Sequence, residues 1–291
     1  MKYARLLLVT LALVFASTLT ASVAGSLGRI PPPPNVGLTL GNPSDATNDT
    51  SNTDNFLMSK PQYVLSFNNG KGGANWVAWH LQASDIGGAG RSNNFHVDTS
   101  LPTGFKRITT GDYTGSGFDR GHLCNSKDRT NNATNNEATF NMTNILPQAP
   151  DNNQGPWVKL ENFARELAGQ GKELYIYAGA FGTGGTGKNG LKQTITGGEV
   201  NVPKVFWKVM IVLPMGNNDL SRVNANTRAI AVCMPNKQGI RNVPWQKYVT
   251  TIHNIETASG YDFLSPVPAA AQQAIKNRKD STGTGTGNPC Q

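Results

Sequence analysis

Cysteine is scarce in this 291-residue sequence, which contains three: Cys124, Cys233 and Cys290. An odd count excludes a complete set of internal disulfides, and three cysteines are too few for a disulfide scaffold. The sequence has no CxxC pair, so nothing in it indicates a zinc site. Cys233 lies in the apolar run AIAVCMP, which we interpret as a strand in which cysteine is a small buried side chain. The pairing of the three cysteines stays open.

Acidic residues are in the minority, with 18 Asp and Glu against 26 Lys and Arg. The formal net charge of +8 draws a protein towards polyanions such as nucleic acids, acidic polysaccharides and membrane surfaces. Charge by itself does not choose among these partners.

Apolar runs long enough to cross a bilayer, which takes about 20 residues, are missing beyond the first residues. Lys2 and Arg5 precede the stretch LLLVTLALVFA at residues 6–16, and small residues lead to Ala24. This arrangement is typical of a secretory signal peptide, which we predict at residues 1–24. We therefore expect a secreted or periplasmic protein without stable membrane association once the signal is removed. Loss of Lys2 and Arg5 lowers the net charge from +8 to +6.

The remaining chain divides into a linker, a body and a tail. Residues 25–35 end in a proline run and predict a stiff extended linker. Residues 36–280 form the predicted domain, and residues 281–291 are a low-complexity tail that we expect to be mobile.

The domain mixes strand and helix patterns. Strands are predicted for the segments YVLSF, NWVAWHL, ELYIYAGAF, VFWKVMIVL and AIAVCM. A helix is predicted for PWVKLENFARELAGQG, where Trp157, Leu160, Phe163, Ala164 and Leu167 form one apolar stripe. Many strands with few helices predict an α+β fold with a central, largely antiparallel sheet flanked by helices.

The segment FDRGHLC places three ionisable groups close together. In an extended strand, Arg120 and His122 point to one side and Asp119 to the other. Histidine has an ordinary pKa near neutrality and can accept a proton, whereas arginine stabilises negative charge. A base beside a permanent cation suits attack on an anionic ester. A salt-bridged surface strand is the alternative interpretation.

A second polar cluster surrounds the start of the predicted helix. Asn153 lies just before the helix, and Glu161 and Arg165 are four residues apart and so share one face. A helix cap with an ordinary ion pair, which is common, explains this pattern. The functional interpretation is an amide oxygen held at the helix start, with an acid and a base directed towards the same site.

Together these clusters resemble the DNA/RNA non-specific endonucleases, the bacterial sugar-nonspecific nucleases with a DRGH motif. The similarity runs over roughly residues 36–276. It rests on the segments NWVAWHL, GRSNNF, YTGSGFDRGH, ATFNMTNILPQAPDNNQGPWVKLE, ELYIYAG, ANTRAIAV and TASGYDFLS. The sequence departs from the family pattern at Cys124–Asn125, where a small residue and often proline is expected. We interpret this departure as affecting the local loop rather than the chemistry.

The resemblance implies a ββα-metal active site and a role for each matching residue. His122 matches the general base, and Asn153 matches the single side chain that holds the metal. Glu161 matches the acid that hydrogen-bonds water on the metal, and Arg91 matches the arginine that stabilises the pentacovalent phosphate. The remaining matches are supporting groups: Arg120 and Arg165 as phosphate-binding or structural arginines, and Asn144 as an asparagine near the catalytic histidine.

The same resemblance implies the cofactor and the partners. Mg²⁺ fits a single amide ligand because it retains several waters and takes substrate phosphate as a ligand; Mn²⁺ is its expected substitute. DNA and RNA are the expected substrates, since binding through the phosphate backbone does not read bases. A protein inhibitor is a further expected partner.

Two other functions remain as alternatives. His122 and Cys124 share a strand face and suggest a cysteine hydrolase, and the basic charge suggests a non-enzymatic polyanion-binding protein. The segment GTGGTGKN at residues 182–189 nearly matches a phosphate-binding loop, but Asn189 replaces the required hydroxyl, so we predict an ordinary surface loop.

Overall fold

The computed structural model describes residues 36–291, so the predicted signal peptide at 1–24 and the linker at 25–35 lie outside the described residues. The described chain starts with the short helical turn Val36–Leu38.

The strands, in chain order, are β1 (Phe56–Ser59), β2 (Val64–Asn68), β3 (Gly73–Leu81), β4 (Asp119–His122), β5 (Ile145–Gln148), β6 (Lys172–Phe181), β7 (Gly185–Gly187), β8 (Gly190–Lys192), β9 (Thr194–Ile195), β10 (Val200–Asn201), β11 (Val205–Pro214), β12 (Arg228–Pro235) and β13 (Val249–Thr250). The α-helices are α1 (Ala133–Ala138), α2 (Pro150–Asn152), α3 (Val158–Gly169), α4 (Asp219–Arg222), α5 (Ile252–Ser259) and α6 (Ala269–Asn277). The 3₁₀ turns after the first are Ala83–Asp85, Gly111–Tyr113, Ser126–Arg129, Met142–Asn144, Thr196–Gly198 and Trp245–Tyr248, and a π-helical turn covers Asn153–Trp157.

Seven strands form one sheet in the order β1-β2-β3-β6-β11-β12-β13, and every neighbouring pair is antiparallel. All five predicted strand segments lie in this sheet, at β2, β3, β6, β11 and β12. The central strands β3 and β11 are apolar almost throughout because both faces of the sheet are covered. The predicted α+β fold with an antiparallel central sheet is confirmed.

Strand alternation assigns the side chains of β11 to two cores. Phe206 and Met210 face the core that contains the stripe of α3, including Leu160 and Ala164. Trp207 and Val209 face the opposite core, which contains residues of α5 and α6. Because side chains alternate along a strand, Lys208 belongs to the α3 side of the sheet, where it is 2% exposed.

A smaller unit lies beside the main sheet. Strands β4 and β5 pair antiparallel, with His122 opposite Ile145 and Asp119 opposite Gln148. The chain then turns through α2 and the π-helical turn into α3. This strand, strand, helix order is the ββα unit that the resemblance implied.

The C-terminal tail is tied to the main sheet. Cys290 is 5% exposed and forms a disulfide with Cys233, whose side chain lies in the α5 and α6 core. The expectation of a mobile tail is therefore wrong at Cys290, because a covalent bond holds it. Cys233 is buried in its strand as predicted, but as half of a disulfide. Cys124 is a free, buried thiol.

The near-match to a phosphate-binding loop folds as a hairpin. β7 pairs with β8, so a second short strand rather than a helix follows the glycine-rich segment. Among residues 36–291, no helix combines the length and the apolar character that crossing a bilayer requires.

Candidate active site

Strand β4 presents Arg120 and His122 to the same cleft, as alternation predicted. The cleft has a volume of about 290 Å³. It is lined by Arg91, Arg120, His122, Asn125, Lys127, Asn153, Gln154, Val158 and Glu161. Gly121 lies between the two functional residues. A Cβ at this position would lie 2.4 Å from Oε1 of Gln148 on β5. Only glycine lets the two strands approach this closely.

His122 is held as a neutral base. The ring packs against Phe95 and Phe140, with centroid distances of 5.3 and 4.8 Å. Burial, reinforced by the neighbouring Arg91 and Arg120 guanidiniums, lowers the pKa of His122 to about 3. Nε2 is buried and has no hydrogen-bond partner among the described residues. An unpaired buried nitrogen is costly and rare, so Nε2 is the candidate atom of this ring for contact with a bound group.

The two arginines beside His122 are oriented by aromatic rings. The guanidinium of Arg120 stacks 4.3 Å from the centre of the Phe95 ring, and that of Arg91 lies 4.9 Å from the centre of Phe140. Arg91 also donates to Ser126 Oγ at 2.5 Å. Stacking leaves most guanidinium donors available for an anion in the cleft.

Asn153 begins the π-helical turn that leads into α3. Its Nδ2 donates to Oδ2 of Asp119 at 2.8 Å, and Gln154 donates to the same oxygen at 2.7 Å. With the amide nitrogen bound to Asp119, Oδ1 of Asn153 is the atom left for a ligand. Gly155 makes the turn possible, because a Cβ there would lie 2.7 Å from the backbone of Arg241. Asp119 lines the adjoining cavity and orients the side chains of Asn153 and Gln154 from there.

Glu161 is the buried acid of the cleft, with an exposure of 4%. Its Oε2 accepts from Nδ2 of Asn125 at 2.5 Å. Its Oε1 lies 3.7 Å from Nζ of Lys208, which is an ion pair too long for a hydrogen bond, and so Oε1 is buried without a hydrogen-bond partner. Burial raises the pKa of Glu161, while the Lys208 ammonium and the Asn125 amide oppose that rise.

Lys208 is itself a buried charge. Its ammonium lies 4.1 Å from the centre of the Trp157 ring and 5.4 Å from that of Trp79. Burial lowers its pKa, and the carboxylate of Glu161 opposes the change. The pair of charges offsets part of the desolvation cost that either would carry alone.

Two residues with predicted roles at the site do not line the cleft. Asn144 is fully buried and exchanges hydrogen bonds with the backbone of Cys124, at 2.9 Å in both directions. Its contacts therefore hold the chain just after His122. Arg165 pairs with Asp128 at 2.7 Å and lines a neighbouring cavity with Arg91. Asn144 therefore supports the strand end, and Arg165 lines the adjoining cavity instead of the cleft itself.

The sequence interpretation missed four lining residues, Asn125, Lys127, Gln154 and Val158, and the buried Lys208. Lys208 had a signal, since it is the one charged residue in the apolar run VFWKVMIVL. Asn125 departs from the family pattern, and its hydrogen bond to Glu161 makes it part of the site.

The cleft fits a hard divalent cation. Its candidate oxygen groups are the amide of Asn153 and the carboxylate of Glu161, both of which line the cleft, and oxygen donors suit Mg²⁺ better than a soft metal. Elsewhere in the described chain, His80, Glu173 and Asp219 also place ligand atoms within 4.8 Å of one another. There Arg222 donates to both carboxylates, so a guanidinium already supplies the positive charge.

The cysteine-hydrolase alternative is not supported by the geometry. Cys124 is fully buried and does not line the cleft. Burial raises the pKa of its thiol to about 12, and a thiol that stays protonated is a poor nucleophile.

Known proteins resemble this chain in both sequence and fold. The family model for DNA/RNA non-specific endonucleases matches residues 41–270. A nuclease from Nostoc sp. is 46% identical over 270 residues, which cover 93% of this chain and 95% of that protein. The mitochondrial endonuclease G of Bos taurus is 33% identical over 221 residues, covering 74% of this chain and 71% of that protein.

A solved structure supports the fold. The crystal structure of the EndoG/EndoGI complex matches with a TM-score of 0.65 and 23% identity, covering 80% of this chain and 91% of that one. The family match over most of the chain and the two relatives agree with the cleft described above. The chain belongs to the DNA/RNA non-specific endonuclease family and is an endonuclease that acts on nucleic acids.

Proposed function

We propose that this protein is a secreted, Mg²⁺-dependent endonuclease that hydrolyses DNA and RNA and leaves 5′-phosphates. One observation carries the proposal. The cleft joins a neutral buried imidazole with an unpaired nitrogen to two stacked guanidiniums and two oxygen donors.

His122 is the general base of the reaction. Its unpaired Nε2 accepts a proton from water as the water oxygen attacks phosphorus, and the bond from phosphorus to O3′ breaks. The phosphate then remains on the 5′ side, and O3′ takes a proton from solvent. A pKa of about 3 is low for a base, but the negative phosphodiester opposes the two guanidiniums and raises it when substrate binds.

Arg91 and Arg120 bind the scissile phosphate. Charge on the phosphate oxygens increases as water attacks, and pre-oriented guanidiniums stabilise that charge without further rearrangement. Their aromatic platforms, Phe140 and Phe95, keep the planes oriented before substrate arrives.

Asn153 would hold the cation, and Glu161 would hydrogen-bond water on it. Asp119 fixes the amide of Asn153 so that its oxygen faces the cleft, and Glu161 lines the same cleft. Mg²⁺, when bound, offsets the negative charge that develops on the phosphate and on the leaving oxygen.

Two further cavities adjoin the cleft, which supports cutting within a strand. A cavity of about 360 Å³ shares Arg120, Asn153 and Gln154 with it. A second cavity, of about 320 Å³, shares Arg91 and Lys127 with it. The two cavities offer room for a nucleic-acid chain beyond the scissile phosphate.

The candidate contacts explain tolerance of both sugars. The guanidiniums of Arg91 and Arg120 and the ammonium of Lys127 recognise phosphate rather than base edges. Water activated by His122 does not require a ribose 2′-hydroxyl, so RNA has no mechanistic advantage over DNA.

Secretion rests on the predicted signal peptide at residues 1–24, and the buried disulfide between Cys233 and Cys290 supports it, since such bonds persist in oxidising compartments. A protein inhibitor remains an expectation from the sequence.

The decisive experiment compares Asn153→Ala with Asn153→Asp. We expect the alanine variant to lose Mg²⁺-dependent cleavage by more than about 100-fold, because metal catalysis contributes several kcal/mol, and the aspartate variant to keep part of it. Wild-type protein digests a defined duplex, its single strands and the matching RNA, with and without EDTA, and the ends are mapped. Activity in EDTA, a 2′,3′-cyclic product or strict dependence on one sugar would refute the proposal.

A further inference from the structure

Asn125 occupies the position where the family pattern leads one to expect proline, and its side chain bridges two parts of the site. Its Oδ1 accepts from the backbone N–H of Lys127 at 2.7 Å, which caps the 3₁₀ turn Ser126–Arg129. Its Nδ2 donates to Oε2 of Glu161 at 2.5 Å. Both ends of one amide are therefore engaged.

The orientation of this amide follows from its partners. A backbone N–H can only donate, so the oxygen of Asn125 must face Lys127 and the nitrogen must face Glu161. The cap thus determines which group meets the carboxylate. Proline or a small apolar residue at this position has no side-chain donor and leaves Oε2 unpaired.

The bond also determines which oxygen of Glu161 remains available. Oε2 is taken by Asn125, while Oε1 is buried without a hydrogen-bond partner. The residue reaches the site from α3, and Asn125 reaches it from the loop after β4, 36 positions earlier in the chain. A carboxylate held at one oxygen cannot rotate freely, so Oε1 keeps a single direction, 3.7 Å from Nζ of Lys208.

We propose that Asn125 is a positioning residue that fixes the Glu161 carboxylate in the cleft that would hold the divalent cation. The inference rests on the proposed function, since it assumes that the cleft binds the cation. Groups that orient the supports of a metal site typically change metal affinity by about 10- to 100-fold when removed.

The test is cation binding, with Mn²⁺ as the probe and free Mn²⁺ measured by electron paramagnetic resonance. Asn125→Ser retains an oxygen that can cap the turn but cannot reach Glu161 with a donor, whereas Asn125→Ala loses both. Asn132→Ala is the matched control, because Asn132 caps α1 with the same kind of bond, to the N–H of Asn135 at 2.8 Å.

We expect Asn125→Ser and Asn125→Ala to raise the Mn²⁺ dissociation constant by about tenfold or more, and Asn132→Ala to leave it unchanged. In a Glu161→Gln background the Asn125→Ser change should have no further effect, since it acts through that carboxylate. Thermal unfolding of each variant identifies loss of fold, and Asn125→Ser decides if Asn125→Ala is unstable.

Wild-type affinity in Asn125→Ser, or an equal loss with and without the Glu161 carboxylate, would overturn the positioning role while leaving the proposed function intact. If wild-type protein binds no Mn²⁺ and cuts no nucleic acid, the proposed function fails first and this inference fails with it.

Discussion

Breaking the disulfide between Cys233 and Cys290 should lower the free energy of unfolding by about 4 kcal/mol. The bond joins β12 to the tail across a sequence separation of 57 residues. Closing a loop of that length removes about 14 cal/mol/K of entropy from the unfolded chain, which is about 4 kcal/mol at 25 °C. The folded state should lose little further stability, because the ion pair between Arg228 and Asp280 still anchors the start of the tail.

The perturbation is Cys290→Ala, and the assay is urea unfolding with and without a reductant. Reduced wild-type protein should unfold like the variant, and the reductant should not change the variant. Because the disulfide makes the unfolded chain more compact, the slope with urea also changes. Extrapolated free energies are therefore compared instead of midpoints.

Nuclease activity at 25 °C should survive in the variant, since Cys233 faces the core on the α5 and α6 side and the cleft lies with α3 on the other. A loss of stability below about 1 kcal/mol would refute the loop-closure reasoning, which predicts several times more. A folded variant without activity would refute the separation of the tail from the cleft.

Other changes act on the cleft itself. His122→Ala should reduce initial cleavage rates by about 10²–10⁴-fold while Mn²⁺ binding persists; a near-normal rate in folded protein would remove the base assignment. The pKa of His122 is about 3 in the folded state, below its unfolded value, so its stability contribution is complete above about pH 6.5 and is lost as the pH falls. Urea unfolding at pH 7 and pH 4.5 should therefore show a smaller acid loss in His122→Asn than in wild type, by roughly 2–3 kcal/mol. Lys208→Met removes the cation beside Glu161, so the pKa of that acid should rise and the acid limb of the pH–rate profile should move to higher pH. Raising salt from about 50 to 200 mM should weaken duplex binding by on the order of tenfold or more, measured by fluorescence anisotropy.

The main sheet was predictable because a strand that is buried on both faces has a recognisable apolar run in its sequence. Each central strand is an apolar run bounded by turns, and the five predicted segments coincide with β2, β3, β6, β11 and β12. Helix α3 was predictable for the same reason, since the stripe from Trp157 to Leu167 repeats with the period of a helix and is buried except at the half-buried Phe163. The tail was mispredicted because low complexity says nothing about a covalent partner in a distant strand.

The site was predictable in part. Alternation placed Arg120 and His122 together, and the resemblance brought in Asn153, Glu161 and Arg91, all of which line the cleft. The same resemblance also proposed Asn144 and Arg165 for the site, where the structure gives them supporting contacts. Matching motifs identify neighbours of a site without distinguishing the side chains that face it from those behind it.

Local sequence determined the strands, the helix beside the cleft and the pairing of an arginine with a histidine on one strand face, because each depends on repeats a few residues long. Only the tertiary structure decided what surrounds Glu161. Asn125 comes from a loop 36 positions earlier, and Lys208 comes from the sheet beneath, which alternation turns towards α3. Contacts of this kind depend on how distant elements pack, and short-range periodicity carries no record of that. The direction of one amide and the burial of one ammonium therefore became visible only in the folded chain.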